Sequence, residues 1–253
     1  MKNIPAVNCT RPMCYSVPNT DCPYNIGGTC FVVRFRQRLW AFTAKHILTN
    51  LGVSPNQVMI PYIVGGYHFF NLSDARTFEN YPTDSDCTDI VLFEIDENTL
   101  DMKHYDESTV YDLDSEPDFP ITGDMLLAVH GFPDELNKIN DEGTALIMQR
   151  ASISGHFGDR SQMTGCREID LLGNGNLKSH SGFSGCPIFI ASSEFNQPNA
   201  SKLIGINLRG TTSKKHYLDI IALKKLVDVH LANQITEQGG AANPLQPSAS
   251  GDC

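Results

Sequence analysis

Thr29-Cys30-Phe31-Val32-Val33-Arg34-Phe35, then Arg36-Gln37-Arg38, then Leu39-Trp40-Ala41-Phe42-Thr43 is the stretch that decides the fold. Two runs of β-branched and aromatic residues interrupted by a short polar segment read as successive strands. Working outward, residues 58–64, 67–72 and 90–95 continue the pattern and make the first half β-rich. A second series covers 125–130, 145–153, 168–172, 187–191 and 203–208, separated by turn-forming clusters such as Gly173-Asn174-Gly175-Asn176. Many short strands with no alternating helices point to a sandwich or barrel rather than a parallel α/β sheet. Past the last strand, Ile220, Leu223, Val227 and Leu231 recur at helical spacing around Lys224, Lys225 and Asp228, which predicts one amphipathic helix.

Composition narrows the function classes. The 253 residues are 41% hydrophobic and 19% charged, enough apolar material for a core. The formal net charge of −10 has the wrong sign for gripping nucleic acid or an anionic bilayer, so neither is expected as a partner. No apolar run approaches the roughly 20 residues of a spanning helix, and no apolar stretch follows Met1, so the expected location is the cytoplasm and the eight cysteines are expected to be thiols. Residues 94–118 carry ten acids against Lys103 alone, nearly all of the excess charge, and read as a solvated linker or a docking segment for a basic regulatory partner.

Three short segments carry the chemistry: Thr43-Ala44-Lys45-His46, Thr88-Asp89-Ile90-Val91-Leu92 and Gly182-Phe183-Ser184-Gly185-Cys186-Pro187. Acyl transfer needs a hydroxyl, an imidazole to take its proton, and a carboxylate that fixes the ring and stabilises its charged form. His46 follows a strand ending at Thr43, where it opens into a turn, Asp89 begins a strand, and Ser184 lies between glycines that let backbone N–H groups of Gly182 and Ser184 converge on one oxygen. No cofactor and no metal are expected; Cys9, Cys14, Cys22 and Cys30 are spaced too widely for zinc knuckles, which leaves a Cys-rich metal module as a rival reading.

From about Gly27 to Leu231 the chain resembles a trypsin-like, chymotrypsin-fold serine peptidase. Gly27–Val33 resembles the family's first strand, Phe42–His46 its histidine motif, Asp89–Leu92 its aspartate motif, Gly182–Pro187 its serine motif, and Leu203-Ile204-Gly205-Ile206 the strand after it. His130-Gly131-Phe132-Pro133 resembles the Gly-aromatic-Pro turn of many bacterial members. The resemblance implies two packed six-stranded antiparallel β-barrels with a C-terminal helix, a cleft between them, and hydrolysis of a protein or peptide substrate by His46, Asp89 and Ser184, with the N–H groups of Gly182 and Ser184 as the oxyanion hole. On that basis the chain divides into a lead-in (1–24), a first barrel (25–95), an acidic linker (96–120), a second barrel (121–218), a helix (219–234) and a tail (235–253). The α/β-hydrolases place their serine first, so the order here excludes them.

Departures from the family pattern carry expectations of their own. Phe183 stands where members activated by N-terminal cleavage carry an acid, which argues against that activation and for gating by a partner or by a distorted oxyanion loop. Cys186, where Gly or Ser is commoner, reads as a small apolar neighbour of the site. Lys178 stands where enzymes choosing basic side chains carry an acid; Lys178, His180, Asn207 and Arg209 are the candidate pocket residues, and cleavage after Lys or Arg is not favoured. A trypsin-like binding module without activity is the second rival.

Overall fold

The computed structural model describes residues 6–17, 19, 23–78, 88–115, 122–140, 146–159, 165–190 and 201–240. The chain is mostly β, with two α-helices among the described residues. In the front half, β1 (Thr10–Ser16), β2 (Tyr24–Phe35), β3 (Arg38–Ala44), β4 (Val58–Met59), β5 (Leu72–Thr77) and β6 (Ile90–Ile95) form a curled sheet in the order β4-β1-β2-β3-β6-β5. A seventh strand, β7 (Tyr111–Asp112), pairs parallel with β2. In the back half, β8 (Leu127–Gly131), β11 (Ala151–Phe157), β12 (Cys166–Leu171), β13 (Pro187–Ile190), β14 (Lys202–Gly210) and β15 (Lys214–Asp219) close into a six-stranded antiparallel barrel, beside a small hairpin of β9 (Lys138–Ile139) and β10 (Leu146–Ile147).

The front half therefore departs from the expected six-stranded barrel: it has seven strands and is a half-barrel, its edges β4 and β5 unpaired with each other among the described residues. The strand expected over 58–64 stops at Met59, because Pro61 has no N–H to donate and Gly65 turns the chain at φ 80°. The next expected strand, over 67–72, shrinks to a Pro61–Phe69 bridge, and pairing resumes only at Leu72.

The central hairpin β2–β3 is tight. Arg36 and Gln37 both take positive φ (54° and 61°), the primed turn that matches strand twist, although neither residue is one that favours it. Their side chains and backbone find partners that offset the strain: Arg36 pairs with Asp228 at 3.0 Å, and the Gln37 N–H donates to Asp114 at 3.2 Å. Below the hairpin, Trp40, Phe31, Phe42 and Phe93 are wholly buried, and Trp40 Nε1 donates to the Phe35 carbonyl at 2.9 Å. Side chains of this kind contribute about 1.5–3 kcal/mol each on burial.

The lead-in is not peripheral. β1 inserts between β4 and β2, and its Arg11 is 1% exposed, its guanidinium donating to the carbonyls of Pro61 (3.1 Å), Tyr62 (3.0 Å) and Thr109 (2.9 Å). Nor is the acidic segment a free tether as far as Ser115: Arg34 pairs with Glu97 (3.0 Å) and Glu107 (2.8 Å), and the Asp96 and Asp106 carboxylates cap short 3-10 turns. Glu116 and Asp118 lie outside the described residues. The C-terminal helix, Ile220–Gly240, runs longer than expected, taking in residues 235–240 of the expected tail, and packs Leu223, Leu226 and Val227 back into the front core. The rest of the tail, 241–253, lies outside the described residues.

His130 on β8 predicts a pH dependence. It is 8% exposed, its Nδ1 lies 2.6 Å from Ser152 Oγ, and burial, with Arg150 nearby, pushes its pKa down to about 4. The folded value lies below the ordinary 6.5, so the unfolded chain takes up this proton first as pH falls. Stability from this group is complete above pH 6.5 and lost progressively toward pH 4, an amount of about 3 kcal/mol. Urea midpoints measured across that window are expected to fall more steeply for the wild type than for His130→Asn.

Candidate active site

Strand register sets the first two side chains. β3 pairs with β6 so that Ala44 faces Ile90, which brings the residue after β3 beside the residue before β6. Helix α1 (Lys45–Leu51) starts there, and His46 sits in its first turn. The Lys45 N–H donates to the Asp89 carbonyl at 3.0 Å and the His46 N–H to Asp89 Oδ1 at 2.8 Å, leaving Oδ2 2.7 Å from His46 Nδ1. The Asp89 carboxylate is 11% exposed, where a charge pair is screened less than in water.

Ser184 comes from the turn before β13. Its Oγ lies 2.9 Å from His46 Nε2, so hydroxyl, imidazole and carboxylate stand in one hydrogen-bonded row drawn from both halves of the chain. The glycines around it are obligatory. Gly182 has φ 89°, and a Cβ there would lie 2.3 Å from the Phe132 carbonyl oxygen; Gly185 has φ 80°, and a Cβ there would lie 2.2 Å from the Thr29 carbonyl oxygen. Both contacts are to backbone, which cannot swing aside. Gly185→Ala is expected to cost about 3 kcal/mol or more of stability, checked by chemical denaturation.

The same turn presents two amides. The Ser181 carbonyl accepts from the Asp134 N–H at 3.0 Å, and the Phe183 carbonyl accepts from Asn207 Nδ2 at 2.8 Å and the Cys186 N–H at 3.2 Å. In a trans peptide the N–H points opposite the carbonyl, so the N–H groups of Gly182 and Ser184 face away from those partners. Neither meets a protein acceptor among the described residues. Asp134 adds a side-chain bond to the Ser181 hydroxyl. Phe183 itself is fully buried against Gly131.

The four candidate pocket residues each have partners of their own. Lys178 is exposed, with its backbone N–H on Glu135 (2.9 Å). His180 is 8% exposed, its ring nitrogens 3.2 Å from the carbonyls of Thr211 and Asn174. Asn207 is 1% exposed and braces the serine turn through the Phe183 carbonyl. Arg209 reaches Asp89, with Nη2 3.4 Å from Oδ2.

Sequence reasoning missed three contributors. Thr29 joins the halves: its Oγ1 donates to the Gly182 carbonyl at 2.7 Å and accepts from the Phe132 N–H at 2.8 Å, while its own N–H donates to the Ser184 carbonyl at 3.3 Å. Asp134, already described, orients the first amide. Lys215, 1% exposed, lies 5.6 Å from the centre of the Phe183 ring, and burial pushes its pKa down to about 8. Only the glycine-flanked serine motif hinted at such a brace; a lone Thr, Asp or Lys carries no local signal.

Cys9, Cys14 and Cys30 are buried thiols, with Cys9 pushed up to about 12 by burial, and among the described residues the one group of three ligand atoms brought together does not include them. Cys22 lies outside the described residues. Cys186 is wholly buried, and burial raises its thiol pKa far above the ordinary value, consistent with a small apolar neighbour. No helix among the described residues is long and apolar enough to cross a membrane.

Fold and site together define an all-β protein in which a closed barrel and a curled half-barrel each supply part of one hydroxyl–imidazole–carboxylate row. No protein-family model and no curated protein matches the chain.

Proposed function

We propose that the chain is a serine endopeptidase of the trypsin-like, chymotrypsin-fold kind, in which the half-barrel and the barrel are the two barrels of that fold. The observation that carries this reading is the row Ser184 Oγ, His46 Nε2, His46 Nδ1, Asp89 Oδ2, with links of 2.9 and 2.7 Å. Ser184 attacks the peptide carbonyl while His46 takes its proton, and Asp89 holds the ring so that Nε2 is the accepting nitrogen. The Gly182 and Ser184 N–H groups donate to the oxyanion, each worth on the order of 3 kcal/mol of barrier. His46 then returns the proton to the leaving amine, and water, activated by the same imidazole, releases the acyl group. The site needs no cofactor for any of these steps.

Residues around the row support the same chemistry. Arg209 and the His46 N–H on the Asp89 carboxylate, with the Lys45 N–H on the Asp89 carbonyl, fix that residue. Cleavage of a proteome-derived peptide library, with products read by mass spectrometry, tests the reading. New termini that appear with the wild type and vanish with Ser184→Ala are expected; a product set indifferent to Ser184 would remove the proposal.

A further inference from the structure

We propose that His68, Asp101 and His104 bind one first-row divalent cation, zinc by ligand preference, on the outside of the front half-barrel. One ligand atom from each of the three residues lies within 4.8 Å of the other two, although 33 residues of chain separate His68 from Asp101. The two imidazole rings stack with centroids 3.5 Å apart and planes 13° from parallel, and His104 Nδ1 lies 2.8 Å from Asp101 Oδ2. Two imidazoles, a carboxylate oxygen and a water make an ordinary four-coordinate zinc set. The proposal needs nothing from the serine site.

The scaffold beneath the cluster is rigid. The Tyr62 N–H donates to the His68 carbonyl at 2.8 Å, and the Tyr62 hydroxyl accepts from the Asp101 N–H at 3.1 Å, so one tyrosine holds both ligand-bearing segments. Its ring packs on Phe70 (4.7 Å) and Tyr105 (6.0 Å), and all three are buried. Asp101 Oδ1 is taken by the Lys103 N–H at 3.0 Å, which turns Oδ2 toward the imidazoles.

Near-parallel rings place their lone pairs side by side rather than on one point, and an ion about 2.1 Å from each nitrogen requires the rings to turn about Cβ–Cγ. All three side chains are exposed, so the turn gives up the stacking of the two imidazoles and the contact of His68 with the Tyr62 ring (6.4 Å) but meets no buried packing. The bound ion would tie the 61–70 loop to the 101–104 turn.

Calorimetric titration of the chelator-washed full chain with zinc chloride tests this. One saturable equivalent is expected, weakened by about ten-fold or more in His68→Ala and in His104→Ala, and unchanged in His46→Ala. Circular dichroism of each variant checks that it folds, and if His104→Ala disturbs its turn, His68→Ala decides alone. No saturable heat, equal affinity in His68→Ala, or loss of binding in His46→Ala would overturn the site; none of these results bears on the peptidase reading.

Discussion

His46→Ala and Ser184→Ala are each expected to lower turnover by about 10⁴- to 10⁶-fold, and the double variant to be scarcely slower than either single one. The reason is geometric. Ser184 Oγ is a weak nucleophile unless Nε2, 2.9 Å away, takes its proton, and Nε2 has nothing to activate once the hydroxyl is gone. Either loss disables the same step, so the second costs almost nothing more. What survives is stabilisation from the Gly182 and Ser184 amides, which are backbone groups that these substitutions leave in place. Kinetics of the three variants on one peptide substrate measure the cycle; fully additive losses would mean that the two side chains act in separate steps.

Thr29→Val is expected to be the most damaging conservative change away from the row. Valine keeps the β-branched shape that β2 needs but deletes a hydroxyl that bonds both the Gly182 carbonyl and the Phe132 N–H. Thr29 is wholly buried, so water does not replace either bond. Two unsatisfied polar groups cost about 1–3 kcal/mol each, which predicts a loss of about 2–6 kcal/mol by urea denaturation. The Gly182 peptide also loses its anchor, so turnover should fall in whatever fraction of the protein remains folded. Thr43, whose hydroxyl donates to the Thr29 carbonyl at 2.8 Å, holds the backbone from which the Thr29 hydroxyl projects. A Thr29→Val protein with wild-type stability would show that this hydroxyl adds nothing to the joining of the halves.

How much of this the sequence disclosed depends on how local each signal is. β2, β3 and β6 are nearly continuous apolar runs, and their expected cores, 29–35, 39–43 and 90–95, lie inside the observed strands. β1 was hidden because Thr-Arg-Pro-Met-Cys-Tyr-Ser carries a guanidinium and a proline, and only tertiary carbonyls from residues 61, 62 and 109 make a buried Arg11 tolerable. β15 was missed for a similar reason: Lys214, Lys215 and His216 read as surface, yet Lys215 is buried beneath Phe183. The open edge of the front sheet follows from proline and glycine between 55 and 66, where residue preferences speak about turns but not about whether an edge meets its partner.

The candidate site divides along the same line. The segments holding His46, Asp89 and Ser184 stand out because special residue types sit next to strand boundaries, and the structure brings these three together. Side chains whose work depends on who faces them gave no such sign. The contact of Arg209 with Asp89, next to a bulge between Asn207 and Arg209 that shifts the register of β14 against β15, had no local sign. The acidic run was read from its charge as solvated, but charge alone could not reveal that Arg34 lies opposite Glu97 and Glu107. His68 and His104 meet only through the folding of two loops onto Tyr62.

The most direct measurement is intact-mass and peptide mapping after exposure to a serine-directed fluorophosphonate. One covalent phosphonyl group per chain, located on Ser184 and absent from both Ser184→Ala and His46→Ala, is the result this account predicts. A folded wild-type protein that stays unmodified, or that is modified equally well without His46, would contradict an activated hydroxyl at that position.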